Sequence, residues 1–270
     1  VNEWRCVMKY VIQLITLFAL VFTVNTALAK GGKPPPAPEP GLLNVVTVSP
    51  QYGDYTSPVD ALNSITNAAE DNQYVIQIGP GVYDIGYAQI KMESWVKIEG
   101  AGRSFTVIKG SRTSSADENE AAMVIGANHA ALMRVGIVNT GTGIGTDETY
   151  SIGIRNDNAS PAIKHVKITV TGSTNNVGIS NHNDSWAAIE NVKIFAGTGV
   201  VVDYSSPFIS DSDLYGIPGL KLIDSPGSRA VNNMIPGGVE VLMSVTPTSG
   251  DVCRGNYDLG LQDVDCPSTP

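Results

Sequence analysis

Aromatic side chains make up only 7% of this 270-residue chain and charged ones only 16%, and it has just three Cys and three His. Each scarcity excludes something. Few aromatics leave a core of small aliphatic side chains, and 28 Gly with 16 Pro require many turns, a profile that favours strands over helices. Basic residues number 17 against 26 acidic ones, a formal charge of −9. That balance excludes nucleic acid as a partner and any broad basic face for anionic polysaccharide, while local basic patches stay possible. His129, His165 and His182 do not follow a metal-ligand spacing, so neither a metal nor another cofactor is expected. No Ser-His-Asp arrangement is supported by spacing either. Gly141, Gly143 and Gly145 resemble a phosphate loop by letter alone, because no Lys-Ser/Thr follows.

Long hydrophobic runs are also missing. The apolar stretch Val11 to Val24 has 14 residues, short of the ~20 that a membrane-spanning helix requires. It follows the basic start Met8-Lys9-Tyr10 and precedes Ala27-Leu28-Ala29, the small-x-small pattern of a signal-peptidase site, so residues 1–29 are expected to be an export leader. Removing Glu3, Arg5 and Lys9 with it leaves 15 basic and 25 acidic side chains, a charge of −10. The expected location is secreted or periplasmic, with no integral membrane segment after cleavage. In that oxidising setting the two remaining cysteines, Cys253 and Cys266, read as a disulfide closing a terminal loop, with two free thiols as the alternative.

Residues 30–41 contain KGGKPPPAPEP, too rich in Pro and Gly to pack, and form a linker. Residues 42–270 are the folded domain. SPVDALNSITNAAE carries one helix, with Ser57 as N-cap, Pro58 in the first turn and Val59, Leu62, Ile65 and Ala69 on one face, expected to run to Ala69. It is the only convincing helix after the leader.

From Tyr74 onward short alternating runs such as VIQI, VKIEG, IGIRN, VKITV, VGISN and VKIFAG recur between Gly, Asn, Asp and Pro. Ile154, Asn156, Asn158, Ile163, Val166 and Ile168 answer to Ile179, Asn181, Asn183, Ile189, Val192 and Ile194. An earlier copy lies at Ile125, Leu132, Val135 and Ile137, and shorter ones begin at Val200 and Leu220. Units of about 19 to 31 residues with two or three strands and no helix suit an all-β solenoid: a right-handed parallel β-helix of about seven coils with an N-terminal capping helix. Leucine-rich repeats have a similar length, but their Leu and Asn frame is absent. Stacked coils place equal positions over each other, so Asn156 with Asn181, and Asn158 with Asn183, are expected to form inward ladders that satisfy backbone groups at the bends.

VSPQYGDYTSPVDALNSI, YVIQIGPGVYDI and VKIEGAGRSFTVIKG resemble the opening of pectinesterases and, more loosely, of the pectin lyase-like superfamily. Gly53, Asp54, Pro80, Gly81, Tyr83, Gly100, Gly102, Thr106, Ile108 and Gly110 carry the match over residues 42–110, and Asn139-Thr140-Gly141 extends it. The resemblance implies the β-helix fold. The activity it implies is not supported, because Tyr150 stands where the family has a Gln, and no Gln-Asp-Thr-Leu, Asp-Phe-Ile-Phe-Gly or Leu-Gly-Arg-Pro-Trp follows. Those motifs hold the family's acid, nucleophile, oxyanion-stabilising Gln and Arg.

Candidate site residues therefore come from exposure and chemistry. Lys164, Lys167 and Lys193 form an outward stripe suited to a carboxylated sugar, and Trp186, Tyr204, Phe208 and Tyr215 fall near turns where sugar rings could stack. Asp184, Asp203, Asp211, Asp213 and Lys193 are the candidates for catalysis. The leading expectation is a non-catalytic module that binds polysaccharide or a cell-surface glycan. The alternatives are a polysaccharide-active enzyme with a non-standard site and a structural or adhesion protein.

Overall fold

The computed structural model describes residues 43–143, 148–225, 227–242, 252–258, 260 and 262, with backbone alone at 252–254. The leader and linker lie outside the described residues, as do Cys266 and the side chain of Cys253, and with them the disulfide.

Strands with short turns between them cannot fold back as hairpins when each coil carries three of them, so they stack on the next coil instead. Three parallel sheets of nine, seven and six strands result. The nine-stranded sheet runs from Asn44–Val48 to Val252–Arg254 and the six-stranded sheet from Gly81–Asp84 to Asp213–Tyr215. The seven-stranded sheet contains, in chain order, Ile90–Lys91, Ala122–Ile125, Tyr150–Asp157, Asn175–His182, Thr198–Asp203, Leu220–Ile223 and Val239–Leu242. Each coil passes from the seven-stranded sheet to the nine-stranded and then to the six-stranded sheet, as in Tyr150–Asp157, Ala162–Lys164 and Lys167–Ser173. The chain is a right-handed parallel β-helix.

Register makes the core a set of columns. Leu132, Ile163, Ile189 and Ile209 stack in the nine-stranded sheet, Ile137, Ile168, Ile194 and Leu214 in the six-stranded, and Val124, Ile154, Ile179, Val200 and Leu220 in the seven-stranded. All are at most 1% exposed, and each inward Ile or Leu stabilises the stack by roughly 1.5–3 kcal/mol. Val124, not Ile125, is the column member: Ile125 pairs with Arg155 on the outer face, one residue from its expected position. A one-residue slip is invisible to periodicity where two aliphatic residues adjoin.

The N-terminal end is closed by the helix Pro58–Asn63, whose Ala61 and Leu62, with Ile65 just beyond, enter the core. Ser57 Oγ accepts from Asp60 N at 3.3 Å. The helix stops six residues before the expected Ala69. Ser64 Oγ bonds back to Ala61 O at 2.7 Å, and Asn72 Nδ2 donates to Asn67 O at 2.7 Å, so local side-chain bonds replace a further helical turn. A second, unforeseen helix of four residues, Glu118–Ala121, starts at Asp117, whose side chain accepts from Asn119 N. It lies on the outer face of the seven-stranded sheet and buries Ala121 against Ala122, Ile152 and Val177. At the C-terminal end, Val252–Arg254 continues the nine-stranded sheet by pairing with Arg229–Val231. No helix among the described residues is long and apolar enough to cross a membrane.

Candidate functional site

The turn from the seven-stranded to the nine-stranded sheet must reverse direction within a few residues, which requires left-handed backbone. Asn158, Asn183, Asp184, Tyr204 and Asp224 supply it, with φ between 41° and 59°. Beneath them Ser185, Ser205 and Ser225 form a hydroxyl ladder: Ala159 N donates to Ser185 Oγ, Ser185 N to Ser205 Oγ and Ser205 N to Ser225 Oγ, each at 3.3 Å. These bonds satisfy the bend from inside and leave its outer surface to larger side chains.

That surface is aromatic. Trp186 is 65% exposed, Tyr204 58% and Phe208 44%. Two adjacent coils bring them together, because Asp184 N donates to Tyr204 O at 2.7 Å and Phe208 N to Ala187 O at 3.0 Å. Trp186 N is anchored on Ser160 Oγ at 2.9 Å. Tyr204 Oη donates to Asp224 Oδ2 at 3.1 Å, and this bond holds the phenol proton above its ordinary affinity. Phe208 sits in register between Ala188 and the exposed Arg229. Three exposed aromatic residues thus share this corner, with Ala188 on one flank of Phe208 and Arg229 on the other.

Asn156 Nδ2 donates to Asn181 Oδ1 at 2.8 Å, and both side chains are fully buried. Asn158 and Asn183 are exposed instead, at the left-handed positions of the same bend, and Asn183 Nδ2 donates outward to Asp157 Oδ1 at 2.7 Å. Their positive φ turns the side chains away from the core.

A second cluster lies on the outer face of the seven-stranded sheet. Register places Arg155 beside Ser180 and Asp157, His182 and Asp203 in one row. Ser180 Oγ lies 2.6 Å from His182 Nε2, and His182 Nδ1 lies 3.2 Å from Asp203 Oδ2. Glu118, carried over the sheet by the four-residue helix, pairs with Arg155 and stands 3.5 Å from His182. Arg155 also donates to Asn119 Oδ1 at 2.9 Å and to Asp157 Oδ2 at 3.1 Å. Burial, followed by the Arg155 charge, lowers the proton affinity of His182, while Glu118, Asp203 and Asp157 oppose the shift. The shift favours the neutral imidazole, and the three side chains stand in the Ser-His-Asp order of an acyl-transfer relay. Ser180, however, is only 2% exposed. Through Glu118 and Asn119 the same network fastens the short helix to the sheet. Spacing in the sequence conceals this cluster because its members come from three coils and a helix. The signal that could reveal it is the stacked repeat, which sets His182 over Asp203 once Ile179 is set over Val200.

The remaining candidates are dispersed. Lys193 pairs with Asp213 at 3.3 Å and lies over the rings of Phe195 and Tyr215, at 5.5 and 5.2 Å from their centroids. Those rings stack on each other at 4.9 Å, and Lys167 stands 5.6 Å from the Phe195 centroid. The face that Phe195 and Tyr215 share is covered, and their stacking joins two adjacent coils on the six-stranded sheet. Lys164 pairs with Glu190 at 2.6 Å on the nine-stranded sheet. Asp184 and Asp211 are exposed at left-handed turns on different corners. Of the five residues considered for catalysis, Lys193 and Asp213 meet as an ion pair on the six-stranded sheet and Asp203 meets His182 on the seven-stranded sheet, while Asp184 and Asp211 stand apart from both.

No protein-family model matches the chain, and no curated protein matches it in sequence. Solved structures do match. Pectin methylesterase PemA from Erwinia chrysanthemi superposes with a TM-score of 0.51 at 12% identity, over 78% of this chain and 69% of that one. A pectin methylesterase from Aspergillus niger does so with a TM-score of 0.51 at 12% identity, over 84% of this chain and 88% of that one. At such identity the shared property is the fold. The chain has the parallel β-helix fold that these pectin methylesterases also have.

Proposed function

We propose that this chain is a non-catalytic, exported module that binds polysaccharide at the aromatic corner. The observation that carries the reading is the grouping of Trp186, Tyr204 and Phe208 on two adjacent coils, each 44% or more exposed. Large apolar rings on a water-facing bend are costly unless something covers them, and sugar rings offer flat C–H faces with polar rims that match such a platform. Asp224, Ser160 and Arg229 stand at its edges to bond hydroxyls or a carboxylate. The fold neighbours are named as pectin methylesterases, which makes pectin and its demethylated form the first polysaccharides to try. The buried hydroxyl of Ser180 and the fully engaged Arg155 speak against turnover.

The test is affinity electrophoresis of the full chain in pectin, polygalacturonate and neutral glycans, with assays for released methanol, unsaturated ends and reducing ends. Trp186→Ala should weaken retention about 5- to 30-fold, an effect of ~1–2 kcal/mol, and Asp203→Asn should leave it unchanged. Turnover that disappears in Asp203→Asn would replace this reading with an enzymatic one centred on His182. Retention on none of the glycans would leave a structural or adhesion role.

A further inference from the structure

The opposite edge of the nine-stranded sheet, where it turns into the six-stranded sheet, carries a different surface. Later coils make this turn with a single left-handed residue: Arg134, His165, Asn191, Asp211 and Asn232, with φ between 51° and 57°. The first full coil uses a loop instead, residues 101–105 between the strands Val96–Gly100 and Thr106–Gly110. From that loop Arg103 reaches along the helix, and its Nη1 donates to both the main-chain O and Oδ1 of Asn191 at 3.1 Å. The guanidinium bridges several coils and overhangs Arg134 and His165. A cleft of about 460 Å³ results, lined by Gly102, Arg103, Arg134, His165 and Asn191.

The lining contains two guanidinium groups and an imidazole and no carboxylate, on a chain with a formal charge of −9. Two acids border it and both are paired: Glu99 is held by Lys97 at 2.7 Å and reaches Arg134 at only 3.7 Å, and Glu190, beside His165, is held by Lys164 at 2.6 Å. The other bond of Arg134, from Nη2 to Ala101 O, is long at 3.4 Å. Its side chain is 52% exposed, so most of its five N–H donors face the cleft or solvent. Two planar forks around one space are suited to oxyanions, which they bind in bidentate fashion. Asn191 fixes one fork in place before any ligand arrives, which lowers the ordering cost of binding.

We infer that this cleft is an oxyanion site, taking the carboxylate, sulfate or phosphate group of a ligand. It is separate from the aromatic corner and stands without it. The experiment is a titration of the full chain, at constant ionic strength, with sulfate, phosphate, galacturonate and neutral galactose. Binding is followed by calorimetry and by the NMR signals of the His165 ring. Saturable binding of at least one anion is expected, with movement of the His165 signals and no response to galactose. Arg103→Gln and Arg134→Gln should each weaken it at least tenfold. Arg134→Lys should recover only part of the loss, since it keeps the charge and loses the fork. Galacturonate at least tenfold tighter than sulfate and phosphate would assign the site to a sugar-borne carboxylate, and the opposite order to a free inorganic anion. Trp186→Ala should leave anion binding unchanged even if it abolishes glycan retention, so the two readings fail separately. Non-saturable shifts, or affinity unaltered in both Gln variants, would overturn the proposal.

Discussion

Replacing Asn181 by Val removes the acceptor of the buried Asn156 amide and leaves its N–H2 with no partner at 2.8 Å. It also removes the weaker bond from Asn181 Nδ2 to Val201 O at 3.4 Å. Both asparagines are 0% exposed, so water cannot compensate. An orphaned buried polar group costs about 1–3 kcal/mol, and a neighbouring carbonyl left short of a donor adds part of that again. The expected loss is about 2–4 kcal/mol. Asn156→Val should cost a similar amount by orphaning Asn181. The double variant removes both partners at once, so it should cost less than the two singles together by at least ~1 kcal/mol. Because each coil of a solenoid contacts only its neighbours, the loss should appear locally. Hydrogen exchange should accelerate at amides of Tyr150–Asp157 and Asn175–His182 and much less at Tyr74–Ile78. Chemical denaturation of the four proteins gives the energies. Single losses below ~0.5 kcal/mol, or a double variant equal to their sum, would refute the claim that the side chains of stacked coils bond through the core.

Two further outcomes follow from particular contacts. His182 has its proton affinity lowered in the folded state by burial and by Arg155. Above its unfolded value of about 6.5 both states are neutral and its contribution is intact; as pH falls from there toward the lower native value, the unfolded chain takes a proton that the native one does not, and stability declines. Denaturation between pH 8 and pH 5 should show this slope in the parent and not in His182→Gln, and identical slopes would contradict it. Gly178→Ala should destabilise by roughly 1–3 kcal/mol, since its Cβ would stand 2.5 Å from Gly199 O on the next coil. A thermal melt within a degree of the parent would show that the coils can move apart there.

Much of the fold is legible in the chain because stacking copies one requirement from coil to coil. Ile163, Ile189 and Ile209 recur since each must fill the same inward position, and Asn156 and Asn181 recur since each must bond the other. The serine ladder at 185, 205 and 225 was equally available in its constant spacing of 20 residues. Val124 takes the inward position in place of Ile125 because the two adjoining residues have the same chemistry, and the capping helix ends before Ala69 because Ser64 and Asn72 bond locally instead of extending it. The aromatic corner was partly visible, with Trp186, Tyr204 and Phe208 near turns, but Tyr215 belongs to a stacked pair on another sheet.

What the chain by itself determined is the coil: inward aliphatic periodicity, bend residues and their repetition follow from sequence separations of one winding. The tertiary structure alone decided which outward side chains meet. Ser180, His182 and Asp203 join through register, Glu118 through a short helix laid over the sheet, and Arg103 meets Asn191 across 88 residues. Apart from the patch under the short helix, the outer face is under no packing constraint that would force its residues to repeat, so its contacts depend on how the coils stack and how far each side chain reaches.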